Sequence, residues 1–149
     1  MIPSQISKEI IIEAPVDVVW NLVTEPEHIR RWFADQAEID LRVGGAGHLA
    51  FRDHDAYGLQ VEVLDPPRRF AFRWVRRPGS VVRADNSLLV EFTLLPEGGR
   101  TRLRVVESGF DQVDWSDEAK ARYAEDHAGG WQRILGRLRD YALKVGAPE

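Results

Sequence analysis

Residues His127–Leu143 read HAGGWQRILGRLRDYAL. With a period of ~100° per residue, this stretch and the residues before it make one apolar helical face. Tyr123, His127, Trp131, Ile134, Leu135, Leu138, Tyr141, Ala142 and Val145 fall on that face. Ser116 suits the N-cap, and Asp117 and Glu118 suit the positive end of the helix dipole. Two adjacent glycines interrupt the pattern, and each costs a helix interior roughly 1 kcal/mol relative to alanine. Gly129 falls on the polar side and Gly130 at the edge of the apolar face. The phase therefore predicts close approach or cavity room at Gly130, so that Gly130→Ala perturbs packing while Gly129→Ala is tolerated.

A helix with one apolar face needs a partner layer. The middle of the chain supplies strands. In GLQVEVLDPPRRFAFRWV, Leu59, Val61 and Val63 alternate with Gln60 and Glu62. Asp65-Pro66-Pro67 turns the chain, and Phe70, Phe72 and Trp74 then share a face. A second hairpin turns at Pro96–Gly99, with Leu88, Val90, Phe92 and Leu94 on one strand and Leu103, Val105 and Glu107 on the other. Shorter alternations place Ile39, Leu41 and Val43 together, and Leu49, Phe51 and Asp53 together. At the start, Ile6, Ile10 and Ile12 form a strand. Pro15 and Pro26 then open two short helices that carry Val19, Leu22, Ile29, Trp32 and Phe33. The predicted architecture is α+β: one strand, two short helices, about six antiparallel strands, and a long C-terminal helix covering a curved sheet.

Composition narrows the function. The 149 residues suit a single domain spanning 1–149, with a formal net charge of -4 and no cysteine. Thiol chemistry, disulfides and cysteine-ligated metals are excluded, and a reducing cytoplasm is the expected compartment. A mildly acidic chain whose arginine pairs are scattered is a poor match to nucleic acid. MIPSQISKEI carries no secretory signal pattern, and no segment is apolar for long enough to span a membrane. Neither a Gly-x-Ser-x-Gly nucleophile motif nor a phosphate-binding loop is present, so no nucleotide or other cofactor is expected.

Four segments resemble the START-like (SRPBCC) superfamily, and within it the activator-of-heat-shock-protein-90-ATPase-like branch. They are IIIEAPVDVVWNLVTEPEHIRRWF, GLQVEVLDPPRRFAFRW, TRLRVVESGF and GGWQRILGRLRDYAL, in the same order along the chain from Ile6 to Leu143. The resemblance implies the helix-grip fold and an apolar cavity between the sheet and the long helix. Members of the superfamily bind lipids, polyketides and other hydrophobic small molecules; some are cyclases or dehydratases, and others act through protein partners. The branch carries no common catalytic set. Its eukaryotic activators engage the chaperone through a further N-terminal domain that is not among these residues, which points away from a chaperone role.

The residues supply candidates for such a cavity. Trp32, Phe51, Phe72, Trp74, Phe92, Tyr123 and Trp131 would line it, or simply pack the core. Glu107 follows Leu103 and Val105 on the inward parity, where a carboxylate must be paired, hydrogen-bonded or at a cavity mouth. The plain alternative is a strand end leaving the core. Asp53 has the same parity. His127, one turn from both Tyr123 and Trp131, is either a ligand contact or a satisfied core histidine. His48 and His54 would stand about 20 Å apart on one continuous strand at ~3.3 Å per residue, so no metal site is expected. The leading expectation is a binder of an apolar or amphipathic small molecule. A cyclase- or dehydratase-type enzyme using Glu107 or His127 is the alternative, and a protein-interaction module, co-chaperone-like or a homodimer, the third.

Overall fold

In the computed structural model of the chain, residues 5–51, 56–75, 82–83, 86–113 and 115–146 are described. Strand β1 (Gln5–Ile12) leads into helices α1 (Val16–Thr24) and α2 (Pro26–Trp32). Six strands follow: β2 (Gln36–Ile39), β3 (Ala46–Ala50), β4 (Tyr57–Asp65), β5 (Arg69–Val75), β6 (Leu88–Glu97) and β7 (Arg100–Ser108). Helix α3 (Asp117–Gly146) closes the chain. The strands make one antiparallel curved sheet in the order β1-β7-β6-β5-β4-β3-β2. The last strands thus lie beside the first, and the open edges are β1 and β2. This is the α+β helix-grip arrangement that the alternation and the long helix require.

The local chemistry is legible. The Ser116 hydroxyl accepts from the Ala119 backbone N–H at 3.1 Å and caps α3 as its sequence position suggests. Pro26 occupies the first turn of α2, where its missing N–H costs nothing. Between α1 and α2, the Trp32 indole donates to the Leu22 carbonyl at 2.7 Å. One side of the sheet buries Ile6, Ile12, Phe70, Phe72, Val90, Phe92, Leu103 and Val105, and Trp131, Leu135 and Leu138 of α3 join the same core. The solvent side of β7 carries Arg102, which bonds Glu9 at 2.6 Å and also pairs with Glu97. That pairing lowers the Glu97 carboxyl below its usual range, chiefly through the hydrogen bond.

Two alternations break where the backbone departs from a plain strand. Strand β2 ends at Ile39, because Gly45 N–H bonds back to the Arg42 carbonyl and turns the chain. Val43, expected on the Ile39 face, is consequently 66% exposed. A side chain here would force the backbone to shift: a Cβ at Gly45 in the turn would lie 2.0 Å from the Asp40 carbonyl oxygen, and one at Gly47 in β3 would lie 2.3 Å from that of Glu38. In β4 a bulge between Val61 and Val63 shifts the register, so Leu64 pairs with Phe70 and Val63 with Ala71.

The glycines of α3 overturn one expectation. A Cβ at Gly130 would meet only the Arg133 guanidinium at 3.9 Å, and a Cβ at Gly129 would meet the same group at 3.5 Å. Neither position holds a close backbone approach, so Gly130 is not the packing position that the helical phase suggested. Nothing in the structure explains the glycines at 129 and 130. Gly129→Ala and Gly130→Ala should each stabilise the fold, by up to about 1 kcal/mol. Thermal melts of the two single variants check this; a lowered midpoint for Gly130→Ala would restore the original reading.

Candidate functional site

The site is built on Glu107. In β7, the alternation that buries Leu103 and Val105 turns the Glu107 side chain to the same side. Its sheet neighbours are Ile6 of β1 and Val90 of β6, both buried, and Glu107 itself is 0% exposed. A bare carboxylate there would cost several kcal/mol. Three donors and a histidine ring nitrogen offset that cost. The Tyr123 hydroxyl and the Trp74 indole donate to Oε2 at 2.7 and 2.9 Å. The Trp131 indole lies 3.0 Å from Oε1, and His127 Nδ1 lies 2.9 Å from the same oxygen.

Helix periodicity assembles three of the four. Tyr123, His127 and Trp131 stand at i, i+4 and i+8, so they line up on one face of α3 opposite β7. Trp74 reaches the same carboxylate from β5, two strands away from β7 in the sheet. A carboxylate has about four acceptor positions, two per oxygen, and here each oxygen faces two polar groups. Glu107 is therefore a hub that ties the sheet to the helix.

Around the hub the aromatic rings form a continuous wall. Trp74 stacks on Tyr57 at 4.6 Å and on Trp131 at 5.9 Å between centroids. Tyr57 meets Phe51 edge-on at 5.7 Å. His127 stacks on Tyr123 at 3.6 Å and stands edge-on to Trp74 at 5.8 Å. Trp32, Phe72 and Phe92 lie deeper, all buried, and Phe92 touches both of the others and Trp131. The wall reaches solvent at its rim, where Phe51 and Trp115 are half-buried and the His127 side chain is 18% exposed.

Of the predicted site residues, Glu107, Trp74, Tyr123, His127 and Trp131 come together in the hub, with Phe51 at the rim. Trp32, Phe72 and Phe92 pack beneath it. Asp53, His54 and Asp55 lie outside the described residues. His48 faces Glu38 at 3.9 Å on an exposed strand pair. Among the described residues no group of three His, Asp or Glu side chains is placed to hold a metal ion. The indole donors were not legible as polar partners, since Trp74 and Trp131 read as apolar positions by parity and phase. Also illegible was the bond between His28 Nδ1 of α2 and the Tyr141 hydroxyl of α3 at 2.7 Å, made across 113 residues of chain. An open groove of about 390 Å³ runs between β1 and α3, lined by Ile10, Leu135, Gly136, Lys8 and Arg139 among others; no hub residue lines it.

This fold and hub can be set beside known proteins. The family model of the activator of Hsp90 ATPase homolog 1-like protein matches residues 13–142. The chain belongs to that family. No curated protein matches the chain significantly. Among solved structures, DynU16, a putative protein in the dynemicin biosynthetic locus, is 26% identical with a TM-score of 0.76. The match covers 98% of this chain and 49% of DynU16, so the chain spans about half of that protein. CalU16 from Micromonospora echinospora is 27% identical with a TM-score of 0.68, over 93% of this chain and 75% of CalU16. An Aha1 dimer from Colwellia psychrerythraea, 18% identical with a TM-score of 0.75, covers 97% of this chain and 98% of its own, and shows the family fold alone. No helix among the described residues of this family member is long and apolar enough to cross a membrane.

Proposed function

We propose that the chain binds a hydrophobic or amphipathic small molecule between the sheet and α3, against the wall formed by Phe51, Trp74, Tyr123, His127 and Trp131. The observation that carries this reading is the combination of that aromatic wall with a buried, fully satisfied polar hub at its centre and a histidine at its open rim. Small-molecule sites have this make-up: mostly apolar lining with a few fixed polar groups. The likeness to DynU16, a putative protein in a biosynthetic locus, adds support for a small-molecule partner.

An enzyme of the cyclase or dehydratase type would place its proton traffic on the same residues. Glu107 has no acceptor position left for a substrate proton, so that role would fall to His127. The proximity of Glu107 and His127, at 2.9 Å, is what keeps this second reading in play.

A thermal-shift screen over aromatic compounds, fatty acids and amphipathic fluorophores tests the binding reading. A true ligand at one hundred times its Kd adds about 2.7 kcal/mol. For a domain of this size that is a rise in Tm of roughly 5–10 °C. The same ligand should change the fluorescence of Trp74 and Trp131, which a Trp74→Phe variant would reduce. A panel that leaves Tm unmoved throughout counts against the proposal.

A further inference from the structure

We infer that His127 is held in a single tautomer whose bare Nε2 serves as a hydrogen-bond acceptor, and that the ligand is an aromatic molecule donating a phenolic or enolic O–H to it. This rests on the binding reading above and names the chemistry that the same wall would recognise.

The tautomer follows from the partners of Glu107. Indole nitrogens only donate, so Trp74 fixes Oε2 as an acceptor and Trp131 fixes Oε1 as one. The Tyr123 hydroxyl adds a second donor to Oε2. A carboxylate with three such donors is complete as an acceptor-only group when its fourth neighbour also donates. That neighbour is His127 Nδ1 at 2.9 Å, so Nδ1 carries the hydrogen. In the neutral ring Nε2 is then left with a free lone pair.

The ring cannot readily turn to exchange its two nitrogens. It is stacked on Tyr123 at 3.6 Å and 22°, with Trp74 edge-on at 5.8 Å, and rotation would break the bond to Glu107. Among the described residues Nε2 has no hydrogen-bond partner, in contrast to both Glu107 oxygens and the Trp74 and Trp131 nitrogens. It is also not sealed off: among the described residues no fully buried side-chain nitrogen or oxygen lacks a hydrogen bond, so this unpartnered atom belongs to the 18% of the side chain that is open. At the rim a visitor meets the half-buried rings of Phe51 and Trp115 and one fixed acceptor. A planar aromatic body with one O–H donor satisfies both. A ligand presenting only acceptors would leave Nε2 without a partner and would gain nothing from it.

The test has two arms on the full chain. In the first, long-range 1H–15N correlation spectra of histidine-labelled protein report the tautomer at neutral pH. His127 should show a protonated Nδ1 and a bare Nε2 in the free protein, and its Nε2 signal should shift on adding 2-naphthol. In the second, titration calorimetry compares 2-naphthol with 2-methoxynaphthalene, which keeps the rings and loses the donor. One neutral hydrogen bond predicts roughly 3- to 10-fold tighter binding of 2-naphthol. His127→Phe should bind the two compounds alike; if that variant does not fold, the spectral shift and the wild-type preference still decide. An Nε2–H tautomer, or equal affinity of the two compounds for the wild type, overturns the assignment. So does a 2-naphthol that fails to bind while the broad panel yields a ligand, an outcome that leaves the binding proposal standing.

Discussion

Glu107→Ala should lose about 4 kcal/mol or more of stability in urea denaturation, the largest effect expected of any single substitution at the site. The substitution removes one carboxylate but strands four buried or half-buried donors: the indoles of Trp74 and Trp131, the Tyr123 hydroxyl and His127 Nδ1. Each buried donor left without an acceptor costs about 1–3 kcal/mol, and the four losses are coupled rather than additive. A domain has about 5–15 kcal/mol in total, so a large part of the fold's margin rests on this one side chain. Glu107→Gln separates charge from shape. Its amide keeps one accepting oxygen but aims an NH2 group at two existing donors, so it should be destabilised nearly as much despite its matching size. A loss below about 1 kcal/mol for Glu107→Ala would mean that water or a rearranged side chain satisfies the donors, and the hub would no longer be structural.

Phe92→Ala should cost about 3–5 kcal/mol by a different route. Phe92 is fully buried in the middle of β6 and meets four aromatic neighbours. Its ring centroid lies 5.9 Å from Trp131, 6.3 Å from Trp32 and Phe70, and 6.4 Å from Phe72. Truncation removes both the transferred apolar surface and the ring contacts, and leaves a void whose walls are rigid rings that collapse poorly. No hydrogen bond is made by Phe92 itself, so the loss is one of packing rather than of polar satisfaction, although Trp131 links it to the hub. An apolar void of this kind takes up benzene. Saturating benzene should therefore raise the midpoint of Phe92→Ala and leave the wild type unmoved. A loss under about 1.5 kcal/mol would show that Trp32 or Trp131 swings into the gap.

Together these two variants divide the interior into a polar and an apolar part. Phe92, Phe72 and Trp32 are the packed floor; Glu107 and its donors are the layer above; Phe51, Trp115 and His127 are the rim. The ligand expectation belongs to the rim, where the rings meet solvent. The floor residues would respond to ligand only through the stability of the layer they support.

Much of this was legible in residue order. Parity along β7 placed Glu107 inside because Leu103 and Val105 share its face, and helical phase placed Tyr123, His127 and Trp131 on one side of α3. Both are short-range consequences of backbone geometry. Val43, Val63 and Gly130 were misplaced by the same rules. A tight turn ended β2 before Val43, a bulge shifted β4 at Val63, and the space beside Gly130 depends on what the helix packs against rather than on its phase. Asp53 lies outside the described residues, so its inward parity stays an expectation.

By itself, the order of residues determined the elements, the faces they bury and the α+β helix-grip architecture. A period of two or of 3.6 is a property of the local backbone, and apolar faces have few ways to be covered. Only the tertiary structure decided that four donors from β5 and α3 converge on one carboxylate of β7. Hydrogen bonds need atoms within about 3 Å, and that proximity is set by sheet register and helix placement together. The same long-range fit decided which aromatic rings became floor and which became rim.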